Sequence, residues 1–398
     1  MNFAEIARDE ATFKEWRRRA FPFFESRIFL TFASVGALPA VARDAIIEYS
    51  NSITQRGQFE FGIDDAMYDG CKTRVARLMR GVKTSFEDVA FAGSTSGALG
   101  IVATGMSWRS GDNCVVADGD FPANVVVWKN LQHRYDIDVR LIPPTRATQI
   151  TLNDVKKLVD HRTRIVSLCS ANFLSGCPIN LSEIGAWLRS QEILFCVDAI
   201  QTLGAIHFDA TWVDFVCADA HKWLLGPNGI AVLWSHQKSR EQLRPAVLGW
   251  LAPADRDNWF AYDTAPHATS ERFEPGARNF LGAVALDAAL KQREEILENC
   301  GDSWIENRVV ALRNHAVRVL EVAGCELLWR ADETSKAGIV SFRHAKISSD
   351  ELFQKLSERF ALSIRADRDG DKWIRVSASW PNTFADLDEL AKQISEIS

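Results

Sequence analysis

Residues 193–234 read ILFCVDAIQTLGAIHFDATWVDFVCADAHKWLLGPNGIAVLW, and this stretch decides the fold. Ile193–Val197, Phe215–Ala218 and Gly229–Trp234 are short apolar runs, too short for helices, which predicts buried strands. Toward the N-terminus, Val89–Gly93, Asn113–Ala117, Val139–Ile142 and Arg164–Cys169 repeat the pattern. Segments of helical period lie between them: Gly97–Met106, Ala123–His133, Leu152–Asp160 and Leu181–Arg189. The alternation predicts an α/β, doubly wound, mainly parallel sheet covered on both faces. Ligands of such sheets bind outside the carboxyl ends of the strands, so chemistry is sought in the residues just after each strand.

The chain has 398 residues, which at roughly 150 residues per domain suggests two domains. An apolar fraction of 47% with 25% charged residues excludes disordered and fibrous classes. The net charge of −6 argues against nucleic acid or an anionic membrane as the main partner. Eight cysteines are scattered without a CxxC pair or zinc-like spacing, which predicts no metal site and a reducing compartment. With no signal-peptide pattern and no apolar run near the ~18 residues of a membrane span, a cytoplasmic location is expected. Beyond residue 284 two long helical stretches precede strands at Glu326–Trp329, Gly338–Phe342, Leu362–Arg365 and Trp373–Ser377. Helices are predicted at Glu351–Arg359 and at the end, where Leu387, Leu390, Ile394 and Ile397 share a stripe behind a Thr383/Asp386 capping box. The expected division is residues 1–30, with a helix over Phe3–Arg19, packing with the small domain; 31–284, a large cofactor domain; and 285–398, a small α+β domain. Residues 235–278 read as a long excursion bordering a site.

Four strand ends carry polar residues that make sense together. Gly93-Ser94-Thr95-Ser96-Gly97 places small residues and hydroxyls at a helix start, where backbone N–H groups cradle an anion or simply cap the helix. Asp198, directly after Ile193–Val197, is a carboxylate that needs a partner, such as a protonated ring nitrogen; an N-cap is the simpler role. Lys222, 24 residues later at another strand end, brings an amine to the same crevice, and its apolar neighbours Trp223, Leu224 and Leu225 argue against full exposure. Phe121, in Asp120-Phe121-Pro122-Ala123-Asn124, offers an aromatic face or core packing, and Asn172 adds an amide. Jointly, an anion cradle, an aromatic face, a carboxylate and an amine describe a site for a phosphorylated pyridinium aldehyde, pyridoxal phosphate.

In joint order these residues resemble the class V aminotransferase group of fold-type I pyridoxal-phosphate enzymes, in its isopenicillin N epimerase-like and cysteine desulfurase-like branch. The resemblance runs from Ala33-Ser34-Val35-Gly36-Ala37-Leu38-Pro39 to Arg375 through Thr383. Its specific parts are Asp198-x-x-Gln201, His221-Lys222-Trp223-Leu224-Leu225-Gly226-Pro227, Gly249-Trp250 and Arg272-Phe273-Glu274-Pro275-Gly276. It implies that Lys222 binds the cofactor as a Schiff base, Asp198 partners the pyridine nitrogen, and Gln201 and Asn172 lie near the ring hydroxyl. It further implies that Phe121 stacks on the ring, that Thr95 and Ser96 hold the phosphate with His221 close by, and that Arg375 clamps the substrate carboxylate. Gly276 and Ala277 fall where the second subunit of the family's homodimer contributes to the phosphate site. Three departures stand out. Ala277 replaces a threonine common in relatives. Asp219 stands where some relatives place a phosphate-binding serine, and is left out of the site because a carboxylate repels phosphate. Arg365–Gly370, where desulfurases carry their nucleophilic cysteine, contains none.

The expected activity is an amino-acid-converting enzyme, with Lys222 as the Cα base and transamination as the first expectation. Epimerisation, decarboxylation and lyase chemistry, including C–S or other β-elimination, are alternatives on the same scaffold. A nucleotide-dependent oxidoreductase would use Gly93, Gly97 and Gly100 with Asp118 or Asp120, but the close GxG pair is absent and Lys222 and Arg375 stay unexplained. A non-catalytic cofactor-binding regulator would not require the whole set. Trp250, Trp259, Tyr262 and His267 fall in the excursion, as pocket lining or as interface packing.

Overall fold

The computed structural model describes residues 2–397 except 59, 60, 146, 263, 331, 333 and 334, and only the backbone of Phe61 and Trp259. Its centre is a seven-stranded sheet of β1 (Val89–Ala92), β2 (Asn113–Ala117), β3 (Asp138–Ile142), β4 (Thr163–Cys169), β5 (Leu194–Asp198), β6 (Phe215–Asp219) and β7 (Ala231–Ser235). The order is β1-β7-β6-β5-β4-β2-β3. Only β7 runs antiparallel to its neighbours; every other pairing is parallel. The mainly parallel sheet expected from the apolar runs is thus present. Alternate residues of each strand enter opposite cores. On one face Val115, Val166 and Val197 pack against α1 (Phe61–Ala76), α4 (Leu181–Ser190) and α5 (Phe280–Cys300). On the other, Cys114, Val116 and Cys196 pack against α2 (Thr95–Gly105) and α3 (Ala123–Tyr135).

The second sheet is antiparallel: β8 (Cys325–Leu327), β9 (Val340–His344), β11 (Lys372–Val376) and β10 (Ser363–Ala366), in that spatial order. It packs on α6 (Trp304–Val322), α7 (Ser349–Ser357) and α8 (Phe384–Ile397) through Leu312, Leu352, Ile374 and Leu390. Helix α5 is continuous across residue 284, so no loop separates the two parts there. Asp386 accepts from Thr383 N–H at 2.9 Å, and also from Arg17 at 2.5 Å.

Two local expectations differ from the structure. The N-terminal helix is broken into Phe3–Ile6 and Glu10–Ala20, because the Asp9 side chain accepts from Thr12 N–H at 2.8 Å and starts a new helix. The helix expected over Leu152–Asp160 ends at Lys156; Asp160 instead accepts from Arg162 N–H and Asn113 Nδ2, at 2.9 and 2.8 Å, turning the chain into β4. N-terminal Phe13, Phe21, Phe29 and Phe32 share one aromatic core with Trp380 and Trp223. Residue Thr31 bridges to Ser377, which carries the segment after it to the seam between the two sheets.

Candidate active site

At that seam a cavity of about 200 Å³ opens beyond the carboxyl ends of the large sheet. Strand parity aims its acidic wall. In β5, Leu194 and Cys196 face the α2/α3 layer, so Asp198 points the same way. The first turn of α3 presents Asn124 there, whose Nδ2 donates to Asp198 Oδ2 at 2.9 Å; Ile200 N–H donates to Oδ1 at 2.9 Å. Burial raises the Asp198 pKa, opposed by these donors and by Lys222. By the same parity Asp219 of β6 meets the start of α2. Its Oδ2 accepts from Thr95 N–H at 3.3 Å, its N–H donates to Thr95 Oγ1 at 2.9 Å, and His221 Nδ1 lies 2.7 Å from Oδ1. Ser94 caps α2 by accepting from Gly97 N–H at 3.1 Å, the simpler of the two roles expected of this turn.

Lys222 lies in the loop that reverses the chain from β6 into antiparallel β7. Its Nζ is 5.8 Å from the centre of the Phe121 ring. Burial lowers the amine from 10.5 to about 8, with Asp198 pulling the other way. Trp223 anchors the loop by donating Nε1–H to Gln201 Oε1 at 3.1 Å, and Gln201 Nε2 donates to the Ala33 carbonyl at 3.2 Å. Gly36 N–H donates to the His221 carbonyl at 2.6 Å, and a Cβ at Gly36 would stand 2.2 Å from the Lys222 carbonyl oxygen. Only glycine permits that approach.

The opposite wall is basic. Arg375 of β11 is 1% exposed. Its Nε donates to Ser363 Oγ at 3.1 Å, Nη1 to the Phe173 carbonyl and Nη2 to Ser34 Oγ. Among the described residues no carboxylate pairs with it. Burial, and to a lesser degree Arg365, lower its pKa from 12.5 to about 9. A buried guanidinium held only by neutral acceptors is suited to receive a carboxylate.

Thr95, Ser96, Phe121, Asp198, Gln201, His221, Lys222 and Arg375 therefore share one cavity, while Asn172, Gly276 and Ala277 do not line it. Asn172 Oδ1 accepts from Leu174 and Ser175 N–H groups at 3.0 Å each, and the residue borders a neighbouring cavity of about 650 Å³. Gly276 follows Pro275, whose carbonyl packs on Gly249 beside a further cavity bordered by Trp250 and Tyr262, 60% and 79% exposed. His267 Nδ1 is 2.8 Å from Thr269 Oγ1; the Trp259 side chain lies outside the described residues.

Sequence reading left Asp219 out, yet it lines the cavity: its oxygens face Thr95 N–H and His221, so the carboxylate is engaged rather than aimed at an incoming anion. Alternation along β6 is the signal that locates it. Asn124 was reachable as the residue one helical turn beyond Phe121. Ser34, Phe173 and Arg365 also line the cavity, but nothing local distinguishes them.

Residues 28–390 match the family model described as Aminotransferase class-V. A probable cysteine desulfurase of Methanothermobacter thermautotrophicus is 24% identical over 403 residues, 96% of this chain and 97% of its own. Among solved structures, the cysteine desulfurase of Thermococcus onnurineus NA1 has a TM-score of 0.85 at 21% identity, covering 96% of this chain and 97% of its own. The cystine C–S lyase C-DES, solved with its reaction product cysteine persulfide, has a TM-score of 0.84 at 20% identity, covering 94% of this chain and 99% of its own. A C-DES variant carries glycine covalently linked to its PLP cofactor. These structures share the fold-type I architecture of the large sheet and its smaller companion. With all but the ends of the sequence accounted for by one family model, the chain belongs to the aminotransferase class-V family.

Proposed function

We propose that the protein is a pyridoxal-phosphate enzyme that eliminates a β-thio substituent from an amino acid, a C–S lyase. The carrying observation is a buried lysine amine and a buried guanidinium without a carboxylate partner among the described residues, in one cavity, beside a loop, Asp367–Asp371, that holds no thiol. The residues fit the cofactor. Asp198 is a buried carboxylate suited to hold a proton on a ring nitrogen, Phe121 presents a face, and Thr95, Ser96 and His221 would hold the phosphate, with Asp219 accepting from Thr95 N–H. Gln201 retains one N–H for the ring hydroxyl. Bound there, the cofactor supplies an electron sink for negative charge at Cα.

Arg375 receives the substrate α-carboxylate and fixes the Cα–H bond relative to Lys222. The Lys222 amine takes the Cα proton, the Cβ–S bond breaks, and the thiolate leaves. With water, the products are a thiol, pyruvate and ammonium. Cys169, which borders the cavity, is a poor sulfur acceptor because burial and Asp120 push its thiol pKa well up. The sulfur then departs with the leaving fragment. This reading follows the desulfurase and C–S lyase names of the relatives, and it displaces transamination, the first expectation from sequence, to second place. Transamination keeps support from a Bacillus subtilis relative named an uncharacterised aminotransferase, 26% identical over 337 residues. A second copy of the chain is part of this proposal, supported by the exposed Trp250 and Tyr262, which border a cavity with Gly249, on which the Pro275 carbonyl packs.

Purified protein loaded with pyridoxal phosphate is incubated with S-alkylcysteines. Pyruvate and thiol in equal amounts, both abolished by Lys222→Ala, are expected. A keto acid retaining the sulfur, with no thiol released, would overturn the elimination reading in favour of transamination.

A further inference from the structure

Two arginines face this cavity, and the mechanism above uses one. Arg365 lies on β10, opposite Trp373 and two residues beyond Ser363, which is itself opposite Arg375. Residues opposed across an antiparallel pair share a face, as do residues two apart, so both guanidinium groups project the same way. They meet at one hydroxyl: Arg375 Nη2 donates to Ser34 Oγ, and Arg365 Nη2 reaches the same atom at 3.4 Å. Like charges so close repel, and among the described residues neither has a carboxylate partner. Nearby acids are occupied: Asp118 by Arg368, Asp371 by Arg343 at 3.1 Å, and Asp367 by Trp373 Nε1 at 2.9 Å.

Counting donors separates the two roles. A guanidinium has five N–H groups. Arg375 commits three of them, to Ser363, Phe173 and Ser34, leaving two, enough for one bidentate carboxylate. Arg365 commits one to the Ile364 carbonyl at 2.8 Å and one to Ser34, leaving three. Arg375 is buried at the base and Arg365 is exposed at the rim. We infer that Arg365 forms a second anion subsite, so that the substrate is an amino acid bearing a second acidic group on its side chain, directed toward the rim. The inference rests on the proposed reading in that Arg375 takes the α-carboxylate. The second acid sits either directly on the carbon chain or beyond a sulfur.

The test uses the cofactor-loaded protein with two inert probes, butyrate with one carboxylate and glutarate with two, by calorimetry. Glutarate is expected to bind about tenfold or more tightly than butyrate, the range for a hydrogen-bonded charge pair. Arg365→Gln should collapse that ratio and Arg365→Lys keep part of it; the position is exposed on an edge strand, so both variants retain the fold. Equal binding of the two probes by the unaltered protein, or equal weakening of both by Arg365→Gln, overturns the subsite. In parallel, kcat/KM is compared for S-carboxymethylcysteine and S-ethylcysteine, and L-glutamate is tested as an inhibitor. A preference for the acidic thioether that disappears in Arg365→Gln supports an acid beyond sulfur; Arg365-dependent inhibition by L-glutamate alone supports an acid on the carbon chain. If glutarate is preferred but neither thioether is cleaved, the subsite stands and elimination falls. If both thioethers are cleaved equally and glutarate shows no advantage, elimination stands and the subsite falls.

Discussion

Replacing Arg375 by methionine separates the cost of holding a buried charge from its use. Arg375 is 1% exposed, and its pKa falls from 12.5 to about 9. At about 1.4 kcal/mol per pKa unit, keeping the charge in the substrate-free protein costs about 5 kcal/mol. Methionine fills similar length without charge, but strips donors from Ser34, Ser363 and the Phe173 carbonyl. At roughly 2 kcal/mol for each lost bond to a charged group, about 6 kcal/mol is given back. Arg375→Met is therefore expected to be less stable than the parent by only about 1 kcal/mol, read from urea unfolding. Its kcat/KM should fall about a thousandfold, since truncating one side of a buried charge pair removes about 4 kcal/mol of binding. Butyrate should raise the urea midpoint of the parent and not of the variant. A variant less stable than the parent by more than about 4 kcal/mol, or one still protected by butyrate, would refute the reasoning.

Three further outcomes follow. Cys169→Ala should keep elimination within about threefold of the parent while lowering stability by roughly 1 kcal/mol, as for loss of a small core hydrophobe; loss of thiol release would implicate a protein sulfur. Gly36→Ala drives a Cβ to 2.2 Å from the Lys222 carbonyl oxygen, so cofactor retention, followed by fluorescence, should weaken by about tenfold or more, and unchanged retention would show that the 221–222 loop shifts freely. Cofactor capture by the apoprotein requires neutral Lys222, so its rate should rise with pH to a midpoint near 8 rather than 10.5. Between those values the unfolded chain binds the extra proton. Lys222 therefore adds stability to the apoprotein as pH rises through that window, an increment absent in Lys222→Met.

Much of the fold was legible because buried parallel strands are apolar on both faces and short. All seven strands of the large sheet emerge within a few residues of their expected ends, and Asp198 and Lys222 announce themselves as polar residues following such runs. Local hydrogen bonds were harder to read. Asp9 breaks one helix and Asp160 ends another early, each by accepting from a backbone N–H a few residues away, an option that hydrophobic periodicity does not record.

By itself the sequence determined which side chains stand at the carboxyl ends of the large sheet, since period and strand length encode burial and order. Tertiary structure alone decided how their bonding capacity is spent. Asn172 uses its carbonyl on its own loop, Asp219 accepts from Thr95 N–H with His221 Nδ1 2.7 Å from its other oxygen, and Arg375 and Arg365 meet at Ser34 without a counter-ion among the described residues. Ser34 and Arg375 are 341 residues apart. Hydrogen-bond saturation depends on such distant partners, so it becomes visible only when both sheets are in place.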